Sequence, residues 1–215
     1  MKITSWLWQF LFPIRCLACG REQARYWCEQ CCQTTKIASA MVVPVPTPLV
    51  SAFAARYYND PPIAALLQAA KYRGVPDALT QMVVALCQTP PPITGQPPIL
   101  VPIPLHRRRL RERGFNQAAV IAQALGQYWS WPVDLTLLER IRPTAHQVGK
   151  SRASRQTNVR DAFRIRADAT LPSAVMLVDD VLTTGATMAA AAAVLKINKP
   201  IDVYAYTIAY EPYNH

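Results

Sequence analysis

The chain has 215 residues, of which 51% are hydrophobic and 17% charged. That balance excludes a disordered polyelectrolyte and suits one medium α/β domain with a small appendage. No uninterrupted apolar run reaches the roughly 18 residues of a membrane span, so no spanning helix is predicted. The formal net charge is +10, and between Arg107 and Arg166 there are 13 Lys and Arg against 4 Asp and Glu. Charge concentrated in one block points to a polyanion site, either a pyrophosphate or a nucleic acid.

The first thirteen residues, MKITSWLWQFLFP, join one lysine to an apolar patch. They lack a small-residue cleavage site and Cys16 follows closely, so they do not read as a signal peptide. The i,i+4 pairs Trp6/Phe10 and Leu7/Leu11 predict a short helix packed on the body. A chain without a secretion signal is expected in a reducing, cytoplasmic setting.

Next come two CxxC knuckles, Cys16-Leu-Ala-Cys19 and Cys28-Glu-Gln-Cys31, separated by eight residues. Four thiolates in two knuckles are what a tetrahedral structural Zn²⁺ requires. Disulfides are the competing reading, and Cys32 competes with Cys31 for the fourth position. Cys87 falls in an apolar helical pattern and reads as a plain core residue. The predicted division is 1–40 for the N-terminal helix and Cys₄ module, and 41–215 for the α/β domain.

Val42 to Tyr58 mixes Val, Pro, Phe and Tyr and predicts one or two extended segments. A helix follows from Pro61, with Ile63, Leu66, Leu67 and Ala70 on one face, ending at Lys71-Tyr72-Arg73-Gly74. A second helix is predicted over Pro76 to Cys87, and the Pro-rich 89–98 stretch is a surface loop. Ile99 to Val101 is a buried-strand candidate. It leads to a basic turn, Arg107 to Arg113, and then to a helix opened by Gly114-Phe115-Asn116-Gln117. Val203 to Tyr210 is an alternating strand expected at a sheet edge.

The stretch AVMLVDDVLTTGATM, Ala174 to Met188, carries the strongest chemistry. Its apolar run has the length and branching of a strand buried on both faces. Asp179 and Asp180 are expected at the strand's C-terminal edge, where open α/β sheets bind ligands. The Thr- and Gly-rich turn opens an alanine-rich helix, offering N–H groups, hydroxyls and the positive dipole end to a phosphate. The carboxylates suit ribose hydroxyls or Mg²⁺. A phosphate cradle beside a diol cradle describes a ribose 5-phosphate.

The string Asp179-Asp180-Val181-Leu182-Thr183-Thr184-Gly185-Ala186-Thr187 resembles the phosphoribosyl-pyrophosphate (PRPP) loop of type I phosphoribosyltransferases. Two further blocks resemble the narrower competence protein F (ComF/GntX-like) family. One is R-L-x-E-R-G-F-N-Q, Arg109 to Gln117. The other is spread over Arg140, Arg142, Thr144, Gln147, Arg155, Asn158 and Phe163. That family joins an N-terminal Cys₄ zinc module to a phosphoribosyltransferase-like domain, a mostly parallel sheet flanked by helices.

The resemblance implies that PRPP binds with Mg²⁺ on Asp179, Asp180 and the Val181 to Thr187 turn. It also implies that a loop around Gly149 to Thr157 closes over the pyrophosphate. Displacement at C1 needs a cationic wall for that leaving group, and Arg109 with Arg113, or Arg142 with Arg155, are the candidates. No HExxH, GxSxG or Walker A string is present, so hydrolase and P-loop ATPase readings have no support. Two classes remain open. One is an enzyme transferring phosphoribose to an acceptor that no motif identifies. The other is a non-catalytic PRPP or nucleotide sensor that contacts single-stranded DNA or a DNA-uptake partner protein.

Overall fold

The computed structural model describes residues 14–35, 40–142, 162–197 and 199–212. In chain order they form α1 (Glu29–Thr34), β1 (Met41–Val43), β2 (Ser51–Tyr57), α2 (Pro61–Arg73), α3 (Pro76–Leu86), β3 (Ile99–Pro102) and α4 (Arg107–Arg113). These are followed by α5 (Gln117–Trp129), β4 (Leu138–Arg140), β5 (Phe163–Ile165), β6 (Ala174–Leu182), α6 (Ala186–Leu195) and β7 (Asp202–Tyr210). The helix expected around Trp6 to Leu11 lies outside the described residues.

The strands make a five-stranded sheet in the order β1-β2-β7-β6-β3. β2, β7, β6 and β3 run parallel, and β1 adds antiparallel to β2. This is a mostly parallel α/β architecture, as the alternation of apolar runs and helical patterns predicts. One sheet face packs on α2, α3 and α5 through Ile63, Leu66, Leu79, Met82, Ile121 and Leu125. The other packs on α6 and the antiparallel β4–β5 pair through Leu177, Met188, Ala191, Leu138 and Phe163.

Helix limits follow local chemistry. α2 carries Pro in its first turn and stops at Gly74, whose φ of 66° is the left-handed cap. α5 starts on Asn116, whose side-chain oxygen accepts from the Ala118 N–H at 3.2 Å. The same Asn116 donates through Nδ2 to the Ile103 carbonyl at 3.1 Å, tying the helix start to the end of β3. Trp129 closes α5 by donating from Nε1 to the Cys87 carbonyl at 2.7 Å, and its ring meets Tyr206 edge-on at 5.0 Å. Cys87 is 1% exposed, the core residue that its pattern predicted.

Three expectations are corrected. β7 is not an edge strand: it lies between β2 and β6. Its alternation of Tyr with smaller residues suggested an edge position, but helices cover both faces and Tyr206 is 1% exposed. Arg107 to Arg113 is a helix, α4, capped at its start by His106 Nδ1 accepting from the Arg108 N–H at 3.3 Å. Finally, β6 runs on to Leu182, so Asp179 and Asp180 lie within the strand. Pairing with β7 continues through Leu182, whereas pairing with β3 ends at Val178. The two carboxylates therefore sit where one neighbouring strand has already stopped.

Candidate functional site

Successive side chains of an extended strand point to opposite faces, and the Asp pair is divided accordingly. Asp180 is 8% exposed and pairs with Lys71 of α2, Nζ to Oδ2 at 2.9 Å. Burial pulls the Lys71 ammonium down, but the Asp180 carboxylate, its hydrogen bond and the Asp179 charge outweigh it, leaving the lysine above its ordinary value. Asp179 accepts the Asp180 N–H through Oδ1 at 2.9 Å. Burial, with the Asp180 charge beside it, pushes the Asp179 carboxyl up to about 7, and Lys71 and Arg140 act against that rise.

The turn after β6 has the predicted form. Gly185 sits at φ 72° as the residue before α6, and Thr184 Oγ1 accepts from the Ala186 N–H at 3.4 Å. A Cβ on Gly185 would stand 2.6 Å from Pro46 Cδ, so both the backbone angle and the neighbour demand glycine. Thr183 is exposed, while Thr184, Ala186 and Thr187 are half-buried. Hydroxyls and the first N–H groups of α6 are therefore gathered one step beyond the carboxylates.

The arginines take three different positions. Arg140 ends β4, with its guanidinium 5.3 Å from the Phe163 ring centre. Burial lowers the Arg140 pKa, the Arg109 charge adds to that, and Asp179 opposes it. Arg140 of β4 thus feels both the Arg109 charge from α4 and the Asp179 charge from β6. Arg113 donates instead to Gln117 Oε1 at 2.7 Å, at the start of α5. Arg142 is exposed after β4, and Arg155 lies outside the described residues together with the Gly149–Thr157 loop. Lys71 went unrecognised in the sequence, since a cation in a last helical turn ordinarily serves the helix dipole.

The Cys₄ set is assembled as expected. The sulfurs of Cys16, Cys19, Cys28 and Cys31 all lie within 4.8 Å of one another, and Cys19 and Cys28 are 3.8 Å apart. A tetrahedron with Zn–S bonds of about 2.3 Å has S···S edges of about 3.8 Å, so the set can hold a metal ion such as zinc. Cys31, not Cys32, is the fourth member of that cluster. The Cys28 N–H donates to Cys16 Sγ at 3.4 Å. Burial raises the Cys16 thiol, but the N–H groups of Cys28, Cys19 and Ala18 overcome it and bring the pKa down to about 6. Burial and the three other sulfurs push Cys31 up. Cys16, Trp27 and Cys28 belong to the same apolar cluster as α2, α3 and α5, and the Trp27 N–H donates to Gln81 Oε1 at 3.1 Å.

No family model matches the chain. Among curated proteins it is 35% identical to Competence protein F of Haemophilus influenzae over 94 residues, 43% of this chain and 41% of that relative. It is 35% identical to DNA utilization protein YhgH of Salmonella typhi over 115 residues, 52% of this chain and 49% of the relative. Competence protein ComFC of Bacillus subtilis is 32% identical over 111 residues, 51% of this chain and 43% of the relative. These similarities support an assignment to the competence protein F family. The chain spans about half the length of the curated relatives it matches.

Two blocks noted as resembling the competence protein F family have clear structural jobs. R-L-x-E-R-G-F-N-Q covers the end of α4, its glycine cap at Gly114 with φ 81°, and the Asn116 cap of α5. Its arginines differ in partner: the Arg109 charge acts on Arg140 and Arg113 donates to Gln117. Of the second block, Arg140 and Phe163 stack across β4 and β5, and Thr144, Gln147 and Asn158 lie outside the described residues.

Proposed function

We propose that this competence protein F-family chain binds PRPP with Mg²⁺ at the end of β6 and serves DNA uptake or the use of external DNA. The carrying observation is the run of two carboxylates, a left-handed Gly185 and the Thr-rich start of α6 at the C-terminal edge of a parallel sheet. In this reading the Thr183 to Thr187 turn takes the 5-phosphate through hydroxyls and N–H groups. Asp179 and Asp180 supply the hard oxygen donors that ribose hydroxyls and Mg²⁺ prefer. Bound Mg²⁺ would neutralise charge on the pyrophosphate. Arg109 is the leading cation for that end, with Arg113, Arg142 and Arg155 as further candidates.

Transfer would break the C1–oxygen bond, with its electron pair leaving on pyrophosphate, as an acceptor lone pair forms the new bond to C1. The division at residue 40, the structural zinc and a cytoplasmic location belong to the same reading. PRPP with Mg²⁺ is expected to bind wild-type protein measurably by calorimetry, with ribose 5-phosphate competing. Thr184→Val removes one hydroxyl bond to a charged group, a loss of roughly 1.5–3 kcal/mol or about ten- to a hundred-fold in affinity. Equal PRPP affinity for wild type and an Asp180→Asn/Thr184→Val double variant would mean that the turn is only a strand-to-helix connection.

A second, non-catalytic reading is favoured by α4, which packs Arg107, Arg108, Arg109, Arg111 and Arg113 into two turns. A cationic helix of this kind suits a phosphate backbone, and relatives carry names referring to competence and DNA utilization. Single-stranded DNA is then expected to bind weakly, with an affinity that falls steeply as salt rises because counterions are released. Charge reversal at Arg107 and Arg108 should flatten that salt dependence in a fluorescence-anisotropy titration. An affinity indifferent to salt would refute this reading.

A further inference from the structure

Strand order sets out a row of chemistry along the C-terminal edge of the sheet. Tyr57 ends β2, Tyr210 ends β7 and Leu182 ends β6, and the three are register partners across adjacent strands. The rings of Tyr57 and Tyr210 lie 6.1 Å apart at 45°. Tyr210 and Leu182 pack on the apolar cluster beneath α6, which places the ring pair on the side of the sheet that carries the β6–α6 turn. One strand spacing is about 4.8 Å, so the pair begins a single step from Thr183. One strand away on the other side, β3 leads into the arginines of α4. Across the edge the order is aromatic, phosphate turn, cation.

Tyr206 is the β7 tyrosine that fills the core, 1% exposed and edge-on to Trp129, whereas Tyr57 is 48% exposed and Tyr210 is half-buried against the cluster beneath α6. Tyr58, next in sequence to Tyr57, has its hydroxyl engaged by Gln68 Nε2 at 3.4 Å. An aromatic pair with one open ring beside a phosphate cradle has the chemistry that stacks a planar base.

We propose that Tyr57 and Tyr210 form a stacking subsite for a nucleobase carried on the phosphorylated ribose held by the β6–α6 turn. This rests on the phosphoribosyl reading above and extends it to the ligand's aromatic end. The base belongs either to a free nucleoside 5′-monophosphate or to the 5′-phosphorylated end of a DNA strand.

Calorimetry on the full chain decides it, with ribose 5-phosphate, AMP, CMP, free adenosine and a tetradeoxynucleotide with and without its 5′-phosphate. The nucleotides are expected to bind about ten-fold or more tightly than ribose 5-phosphate. That gap should close in Tyr57→Ala and Tyr210→Ala, persist in Tyr57→Phe, and be untouched by Tyr128→Ala on α5. Ribose 5-phosphate affinity should not move in any of the four. A gap confined to AMP and CMP assigns the free nucleotide, and one confined to the phosphorylated oligonucleotide assigns the strand end. Equal affinity for ribose 5-phosphate and every base-bearing ligand, or a gap that survives both alanine variants, overturns the stacking subsite. If ribose 5-phosphate fails to bind while adenosine still binds through the tyrosines, the phosphoribosyl reading falls and the aromatic subsite stands.

Discussion

Protein purified under reducing conditions is expected to carry about one Zn²⁺ per chain, and stripping the metal should unfold the segment from Ile14 to Thr35. Among the described residues, that segment holds only the six-residue helix α1 and an isolated Arg15–Glu22 bridge as regular structure. The energy for closing it must come from elsewhere. A structural Zn²⁺ on four thiolates supplies binding energy that is also folding energy, about 10–16 kcal/mol apparent in zinc-finger peptides. Because Cys16, Trp27 and Cys28 lie in the core cluster with α2, α3 and α5, the loss should reach the α/β body and lower its melting temperature. Cys31→Ser should abolish metal retention, and Cys32→Ser should preserve it. Elemental analysis and melting curves with and without a chelator read both. Stoichiometric zinc in Cys31→Ser, or none in the reduced wild type, would remove the metal from the account.

Removing the Lys71 ammonium is expected to have the second large effect. Lys71→Met strands the Asp180 carboxylate in a site where 11% of that side chain is exposed. Breaking one partner of a buried pair costs about 3–5 kcal/mol. Adding Asp180→Asn to Lys71→Met should restore most of the loss, because no unpaired charge then remains. Denaturant unfolding of the single and double variants measures the difference, and additive losses would show that the pair is not coupled.

The neighbouring Asp179 sets the pH dependence. Its pKa in the fold stands at about 7, above its unfolded value, so the folded chain retains a proton that the unfolded chain releases. Stability from this group is complete below about pH 4 and is lost as pH rises toward and through about 7. Lys71 is raised from a value already near 10, so its contribution stays constant over that window and is lost only at still higher pH. Asp179→Asn should therefore match wild type near pH 4 and exceed it by a few kcal/mol at pH 8 without ligand. A difference independent of pH would place the strain elsewhere.

Local chemistry made much of this molecule legible. Gly74 after α2, Asn116 before α5 and the alanine run of α6 each state a boundary in a few residues, and the structure puts the ends there. The two CxxC knuckles work in the same way, because spacing within a knuckle is nearly enough to gather its sulfurs. Burial of a whole strand was less readable. Val203 to Tyr210 carries a period-2 pattern of tyrosines that reads as an edge strand, and only the packing of Trp129 on Tyr206 turns it inward.

The sequence by itself determined the α/β class, the placement of the TTGAT stretch at a strand-to-helix turn, and the four thiols of the Cys set. All of these depend on residues close together in the chain. The tertiary structure decided the rest. It put Lys71 of α2 on Asp180 across more than a hundred residues, set Arg140 between the charges of Arg109 and Asp179, and separated Cys31 from Cys32. It also brought Tyr57 and Tyr210 side by side at one edge of the sheet. The physical reason is strand order: parallel pairing of β2, β7, β6 and β3 makes neighbours of chain segments that no local pattern connects, and their C-terminal ends meet along a single edge.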